Sequence, residues 1–330
     1  MDRATDNARL RLLLLRNAPL ALFLLVIAVF GTLSDRFLDP QNFTNILIQS
    51  SHVAILGIGM TFVLLTAGID LSVGTVMYLA VALLGIHMAG LPPLLAVPAM
   101  AAVGVLFGLL NAFFIVRLRV AAFIVTLATL FVGRGLALWI TNTRMVFYQD
   151  QVLSLARAEF LGVPWAIWIF AAVFAAAWVT LNHTPFGRQV YAVGANPEAA
   201  AKAGINVPLV LTAVYAISGA CAGVAGFVSV TQVGAAASSF AVEKEFAAVA
   251  AAVLGGVSLF GGRGGVAGTV FGAVLIQTVQ NGLVIVNADP YIYPLVTSSI
   301  IFLAVFVDSQ RSRILERIGR RRIRIEERTV

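Results

Sequence analysis

The chain has 330 residues, of which 60% are hydrophobic and 11% charged, with a mean hydropathy of +0.96. A soluble domain carries about 25% charged residues, so this composition excludes a protein folded mainly in water. The single cysteine, Cys221, excludes a disulfide framework. The net charge of +7 does not point to nucleic acid, because four arginines lie in residues 1–17 and eight in residues 308–330. Basic tails flanking apolar segments read as cytoplasmic anchors on an anionic lipid surface.

Apolar segments of about 20 residues cross a bilayer core as helices. Ten are expected, over 18–33, 46–67, 72–90, 94–116, 120–141, 163–181, 208–230, 246–260, 265–287 and 291–307. Arg9, Arg11 and Arg16 precede the first, but no small-x-small cleavage site follows before Asp35, so it reads as a retained span. Pro92-Pro93, Val163-Pro164, Val207-Pro208 and Asp289-Pro290 punctuate the later ones. Glycines suit helix breaks within 46–90 and 246–287.

The arginines set the orientation. Loops carrying Arg117 and Arg119, Arg188 and Lys202, and Arg263 fall on the same side as the two basic tails, which makes that side cytoplasmic. Residues 142–162 then lie outside. The expected architecture is an all-α integral membrane protein with cytoplasmic termini. It divides into a basic tail at 1–17, one membrane domain over 18–307 with a cytoplasmic loop at 182–207, and an Arg-rich tail at 308–330.

Asp70 lies in an otherwise apolar stretch, where a lone carboxylate costs about 2.5–3.5 kcal/mol on insertion scales. Gly68 and Gly74 flank it, so two readings stand: it caps the following helix through amides near Ser72 and Val73, or it is a gate or pathway residue. Arg134, between Gly133 and Gly135, is too deep in its span to snorkel. It must face a carboxylate, helix carbonyls or a wet cavity, as a structural tie or in a pathway.

Residues 184–205 contain a bounded short helix. Asn196 suits an N-cap, Pro197 the first turn, and Glu198 the positive end of the dipole. Four alanines and Lys202 favour helix, and Gly204 suits its stop. Such a helix is marginal alone and gains from a partner groove; the alternative is a plain connector. Further on, a shift of 194 residues aligns Val63, Leu65, Gly68, Gly74, Thr75 and Val76 with Val257, Leu259, Gly262, Gly268, Thr269 and Val270. This is read as shared glycine-rich composition.

No G-x-x-x-x-G-K-[ST] phosphate loop occurs, and the three histidines are scattered without H-E-x-x-H. A membrane enzyme therefore lacks its groups. Apart from Asp70 the spans lack the carboxylates that ion-coupled transport needs, which disfavours a self-powered transporter.

Glu198-Ala199-Ala200 with Gly204 resembles the E-A-A-x-x-x-G loop of ATP-binding cassette importer permeases. The longer string Gly187-Arg188, Ala192-Val193-Gly194, Asn196, Ala199-Ala200 and Gly204-Ile205 resembles ribose-type sugar permeases of the branched-chain amino acid/ribose superfamily. Thr66-Ala67-Gly68-Ile69-Asp70-Leu71-Ser72-Val73-Gly74 does too, with Ala67 where a glycine is common. The resemblance covers nearly the whole chain.

It implies a permease subunit in the bacterial inner membrane, coupled through Gly187, Arg188, Asn196, Glu198, Ala199, Ala200 and Gly204 to a separate ATPase. It implies no cofactor in this chain, with ATP and Mg on that ATPase. The other implied partners are a periplasmic sugar-binding protein, membrane lipid, and a second permease copy or a sister permease. A sugar path needs amide and hydroxyl groups between apolar walls. Its candidate residues are Gln49, Ser51, His52, Asn111, Gln277, Gln280 and Asn281, beside Asp70 and Arg134; Gln277 and Asn281 share one helix face.

Overall fold

The computed structural model describes residues 18–148, 150–299, 302 and 306. The two basic tails, and the end of the span expected over 291–307, lie outside the described residues. The chain divides into two compact units, one of residues 1–43 with 275–330 and one of residues 44–274.

Twelve α-helices have both ends among the described residues: α1 Ala18–Leu33, α2 Pro40–Leu65, α3 Val73–His87, α4 Pro93–Ala112, α5 Ala122–Thr141, α6 Asp150–Arg157, α7 Trp165–His183, α8 Pro185–Ala195, α9 Pro197–Lys202, α10 Val207–Val233, α11 Lys244–Leu254 and α12 Val266–Ile285; residues 293–299 are helical as well. A π turn, Phe113–Arg117, prolongs α4. Six of these are long and apolar enough to cross a membrane: α2, α4 with its π turn, α5, α7, α10 and α12. The protein is a multi-pass, mainly helical membrane protein. Large apolar side chains such as Leu106, Phe131 and Trp139 stay exposed along α4 and α5, as lipid-facing helices require.

The unit of residues 44–274 is built around a close crossing of α4 and α10. A Cβ on Gly104 would strike the backbone of Gly219, and one on Gly223 would strike that of Met100. Gly104 and Gly108 are four apart on α4, as Gly219 and Gly223 are on α10. These two small-xxx-small stripes let the backbones touch, which is how membrane helices gain packing where lipid cancels the hydrophobic drive. Gly268 meets Gly255 and Gly272 meets Ala251 in the same manner, seating the start of α12 on α11.

The chain breaks at 66–72, between the spans expected over 46–67 and 72–90: α2 ends at Leu65 and α3 begins at Val73, and α3, with 15 residues, is shorter than the helices long enough to cross. The eighth expected span, 246–260, differs. Its helix α11 has 11 residues, about 16 Å at 1.5 Å per residue, against a bilayer core of about 30 Å. Gly255 and Gly256 end it, and residues 255–265 form a non-helical segment with left-handed backbone at Gly256, Gly261, Gly262 and Gly264. The 194-residue alignment therefore marks more than composition. Each of its halves is a helix, a glycine-bearing break and a second helix, α3 in one half and α12 in the other.

Residues 142–162 hold α6 and two short strands, β1 Val146–Phe147 and β2 Glu159–Phe160, with β3 Val163–Pro164 just beyond. β1 pairs antiparallel with β4, Ala235–Ala236, and β2 pairs with β3.

The other unit packs α1 on the turn that follows it. Phe37 lies 5.4 Å from Phe30 and 6.3 Å from Phe43 between ring centroids, and Asn42 Nδ2 donates to the Phe37 carbonyl at 2.9 Å.

Candidate functional site: the helical breaks and the loop beneath them

The break at 66–72 is organised by Asp70, which is 1% exposed. Its Oδ1 accepts from the Ser72 amide at 3.1 Å and the Ser72 hydroxyl at 2.6 Å. Its Oδ2 accepts from the Ser218 hydroxyl of α10 at 2.8 Å. Asn111 of α4 donates from Nδ2 to Ser72 Oγ at 2.8 Å. The Thr126 hydroxyl of α5 is shared between the Ala122 carbonyl of its own helix at 2.9 Å and the Ile69 carbonyl at 3.2 Å. One carboxylate thus pins the start of α3 and ties the break to α10, while Asn111 and Thr126 add α4 and α5. The capping reading of Asp70 is realised at Ser72, with a cross-helix tie added. Nothing in the local string announces Ser218, which lies 148 residues away.

Arg134 meets carbonyls. Its Nη1 donates to the Phe240 carbonyl at 2.8 Å and the Ser238 carbonyl at 3.3 Å, and its guanidinium sits 5.0 Å from the centre of the Tyr78 ring. The recipients lie in residues 237–243, the connector between β4 and α11. Of the three surroundings expected for this arginine two are found: carbonyls, which belong to a connector rather than a helix, and a carboxylate, Glu245 at the start of α11, which interacts with it electrostatically. An aromatic face adds to them.

Among the other expected path residues, Ser51 spends its hydroxyl within α2, donating to the Leu47 carbonyl at 2.8 Å. Gln49 and His52 are half-buried on the same helix, and the His52 Nδ1 atom is buried without a hydrogen-bond partner. Asn111 is fully buried and belongs to the Asp70 network. In the other unit, Gln277 and Gln280 are half-buried and Asn281 is buried, its Oδ1 without a partner. The structure therefore joins Asp70 with Asn111 and leaves Arg134 in a separate tie.

The loop at 182–207 is a run of three capped helix starts. Thr184 Oγ1 accepts from the Gly187 amide at 3.2 Å, Asn196 Oδ1 from Ala199 at 2.9 Å, and Asn206 Oδ1 from Leu209 at 3.1 Å. Each cap is followed within two residues by proline, which suits the first turn. The helix expected at Asn196 is α9, and it stops as expected, with Gly204 at φ 83° and the Ile205 amide donating to the Ala200 carbonyl at 3.0 Å. Ala200 is buried, whereas Glu198, Ala199, Ala201 and Lys202 are exposed. Helix α8 is an addition to the expected elements, although Thr184-Pro185 carries the same start signal as Asn196-Pro197. Gly187 lies at the corner between α7 and α8, against the Leu181 carbonyl, and Arg188 is exposed.

The C-terminal end of α8 is inserted between the two breaks. A Cβ on Gly194 would strike the Leu65 carbonyl, to which the Gly262 amide donates at 2.9 Å. A Cβ on Gly261 would lie 2.7 Å from the Gly194 carbonyl, and one on Gly262 3.1 Å from the Ala195 backbone. Tyr191 donates its hydroxyl to the Gly264 carbonyl at 2.8 Å. The Tyr191 phenol is a donor at physiological pH, as any phenol of ordinary acidity is, and burial pushes it further above its usual range.

The family profile described as "Branched-chain amino acid transport system / permease component" matches residues 42–307. The chain is 35% identical over 315 residues to the ribose import permease protein of Haemophilus influenzae, covering 94% of this chain and 98% of that one. It is 38% identical over 309 residues to the ribose import permease protein of Escherichia coli K12, with 90% and 95% covered. It is 34% identical over 288 residues to the D-allose transport system permease protein of the same strain, with 86% and 88% covered.

Proposed function

The chain belongs to the family of branched-chain amino acid transport system permease components, and on that premise we propose that it is the membrane subunit of an ATP-driven sugar importer. The substrate class follows from similarity to ribose and D-allose permeases. The observation that carries the reading is α9: a six-residue helix, capped at both ends, whose outward side chains remain exposed. A helix this short does not hold itself; its exposed Glu198 and Ala199, with Gly204 just beyond its end, form the surface for an ATPase subunit, while the buried Ala200 seats the helix on its own chain.

In this reading the chain crosses the bacterial inner membrane ten times, α11 and the non-helical 255–265 segment together making the eighth crossing, with both tails, α8 and α9 in the cytoplasm and residues 142–162 outside. The membrane domain is 18–307. ATP and Mg bind the ATPase, a periplasmic protein delivers the sugar, and a second copy or a sister permease completes the path. Gln49 and His52 are its neutral candidates within the unit of residues 44–274, and Gln277, Gln280 and Asn281 are those of the other unit. Asp70 acts as a tie that holds the 66–72 break, and Arg134 as one that holds the 237–243 connector. The test is uptake of labelled ribose and other monosaccharides by proteoliposomes carrying this chain. Uptake should require the cognate ATPase, ATP and the binding protein; ATP-independent uptake by this chain alone would overturn the proposal.

A further inference from the structure

The two helical breaks, one of them the glycine-rich 255–265 turn, meet the ATPase-facing loop at one place, the C-terminal end of α8. We infer that Tyr191 and Gly194 are positioning residues that join α9 to both breaks, so that a displacement of α9 moves the ends of α2 and of the 255–265 turn together. This rests on the reading of α9 as the ATPase-facing helix.

The geometry that carries it is local. One residue, Asn196, separates α8 from α9, and its side chain caps α9 while its amide donates to the Ala192 carbonyl of α8 at 3.1 Å. The two helices therefore share a junction with no slack. Gly194 lies two residues from that junction and abuts the carbonyl of Leu65, the last residue of α2. The same carbonyl accepts from Gly262 at 2.9 Å, so one oxygen joins the end of one break to the other. Tyr191, one turn back along α8, holds the 255–265 turn a second time through Gly264 at 2.8 Å.

Both target segments are poor at absorbing motion locally. Five residues beyond Leu65, Asp70 binds Ser72 and Ser218 and so passes force into α3 and α10. Beyond the 255–265 turn, α12 starts against α11, with Gly268 on Gly255. Close backbone packing of this kind transmits a shift because it has no soft side chain to take it up. Tyr191 and Gly194 thus do for α9 what a linkage does: they couple it to two distant pairs of helices at once.

The test compares the wild type with Tyr191→Phe and Gly194→Ala, each purified with its cognate ATPase and reconstituted with the binding protein. Three quantities are read: ATPase retained on purification, ATP hydrolysed, and labelled sugar delivered. Tyr191→Phe, which removes one oxygen, should retain the ATPase and its hydrolysis but deliver several-fold less sugar per ATP. Gly194→Ala should lower the same ratio further where it assembles. An unchanged ratio in Tyr191→Phe overturns the inference, and so does loss of the ATPase from that variant, which would place Tyr191 in seating the partner. Absence of the ATPase from the wild-type preparation would instead sink the importer reading, so the two failures are separable.

Discussion

The Ser218 hydroxyl donates to Asp70 Oδ2 at 2.8 Å, and through it the break between α2 and α3 is fastened to α10. Asp70 is buried, and its described partners are neutral hydroxyl and amide donors on its two oxygens.

Replacing Asp70 separates geometry from charge. Asp70→Asn keeps an acceptor for Ser72 and should lower the thermal midpoint in detergent modestly. Asp70→Leu strands the Ser72 and Ser218 hydroxyls, at about 1–3 kcal/mol for each buried group left unpaired. A midpoint for Asp70→Leu equal to that of the wild type would contradict the tie.

Arg134 fastens the connector ahead of α11. Charged-donor hydrogen bonds contribute about 1.5–3 kcal/mol, and a cation–π contact about 0.5–1 kcal/mol at partly exposed sites. Arg134→Leu should therefore reduce folded yield, while Arg134→Lys, which keeps the charge and much of the reach, should retain more of it. Equal yields for Leu and the wild type, with transport lost, would move Arg134 into the pathway.

The α4–α10 crossing gives a paired steric test. Gly104→Val places its side chain in the Gly219 backbone, beyond what ordinary overpacking of about 1–3 kcal/mol describes, and should abolish folded protein. Gly135→Ala, where an added Cβ meets nothing within 4 Å, should leave the midpoint unchanged. Folded Gly104→Val would refute the packing.

How much of this is legible in the residues alone differs from element to element. Helices α1, α4, α5, α7 and α10 follow from unbroken apolar runs bounded by proline or polar turns, and α9 follows from Asn196, Pro197 and Gly204. The run at 246–260 misleads because hydropathy averages over Gly255 and Gly256, which end α11 at Leu254. Helix α8 is hidden by its mixed composition, though Thr184-Pro185 marks its start. The hydrogen-bond partners of Arg134 are backbone carbonyls, which no side-chain pattern reveals. The meeting of Leu65, Gly194 and Gly262 is a long-range contact that a single sequence leaves unstated.

Sidedness can be read with one cysteine at a time, since native Cys221 is buried. Leu161→Cys, at a position 80% exposed, should react with an impermeant maleimide in intact spheroplasts, and Ala201→Cys should react only after the membrane is opened. The reverse pattern would contradict the proposed orientation.

The most direct measurement of the central claim is ATPase capture and ATP-driven sugar uptake by a protein carrying both Glu198→Arg and Gly204→Val. Valine is strained at the left-handed backbone of Gly204, and arginine opposes the positive end of the α9 dipole. Both changes lie on exposed residues, so membrane insertion and folded yield should persist while ATPase capture and uptake fall together. A doubly substituted protein that still captures the ATPase and takes up sugar at the wild-type rate would show that α9 is only a connector.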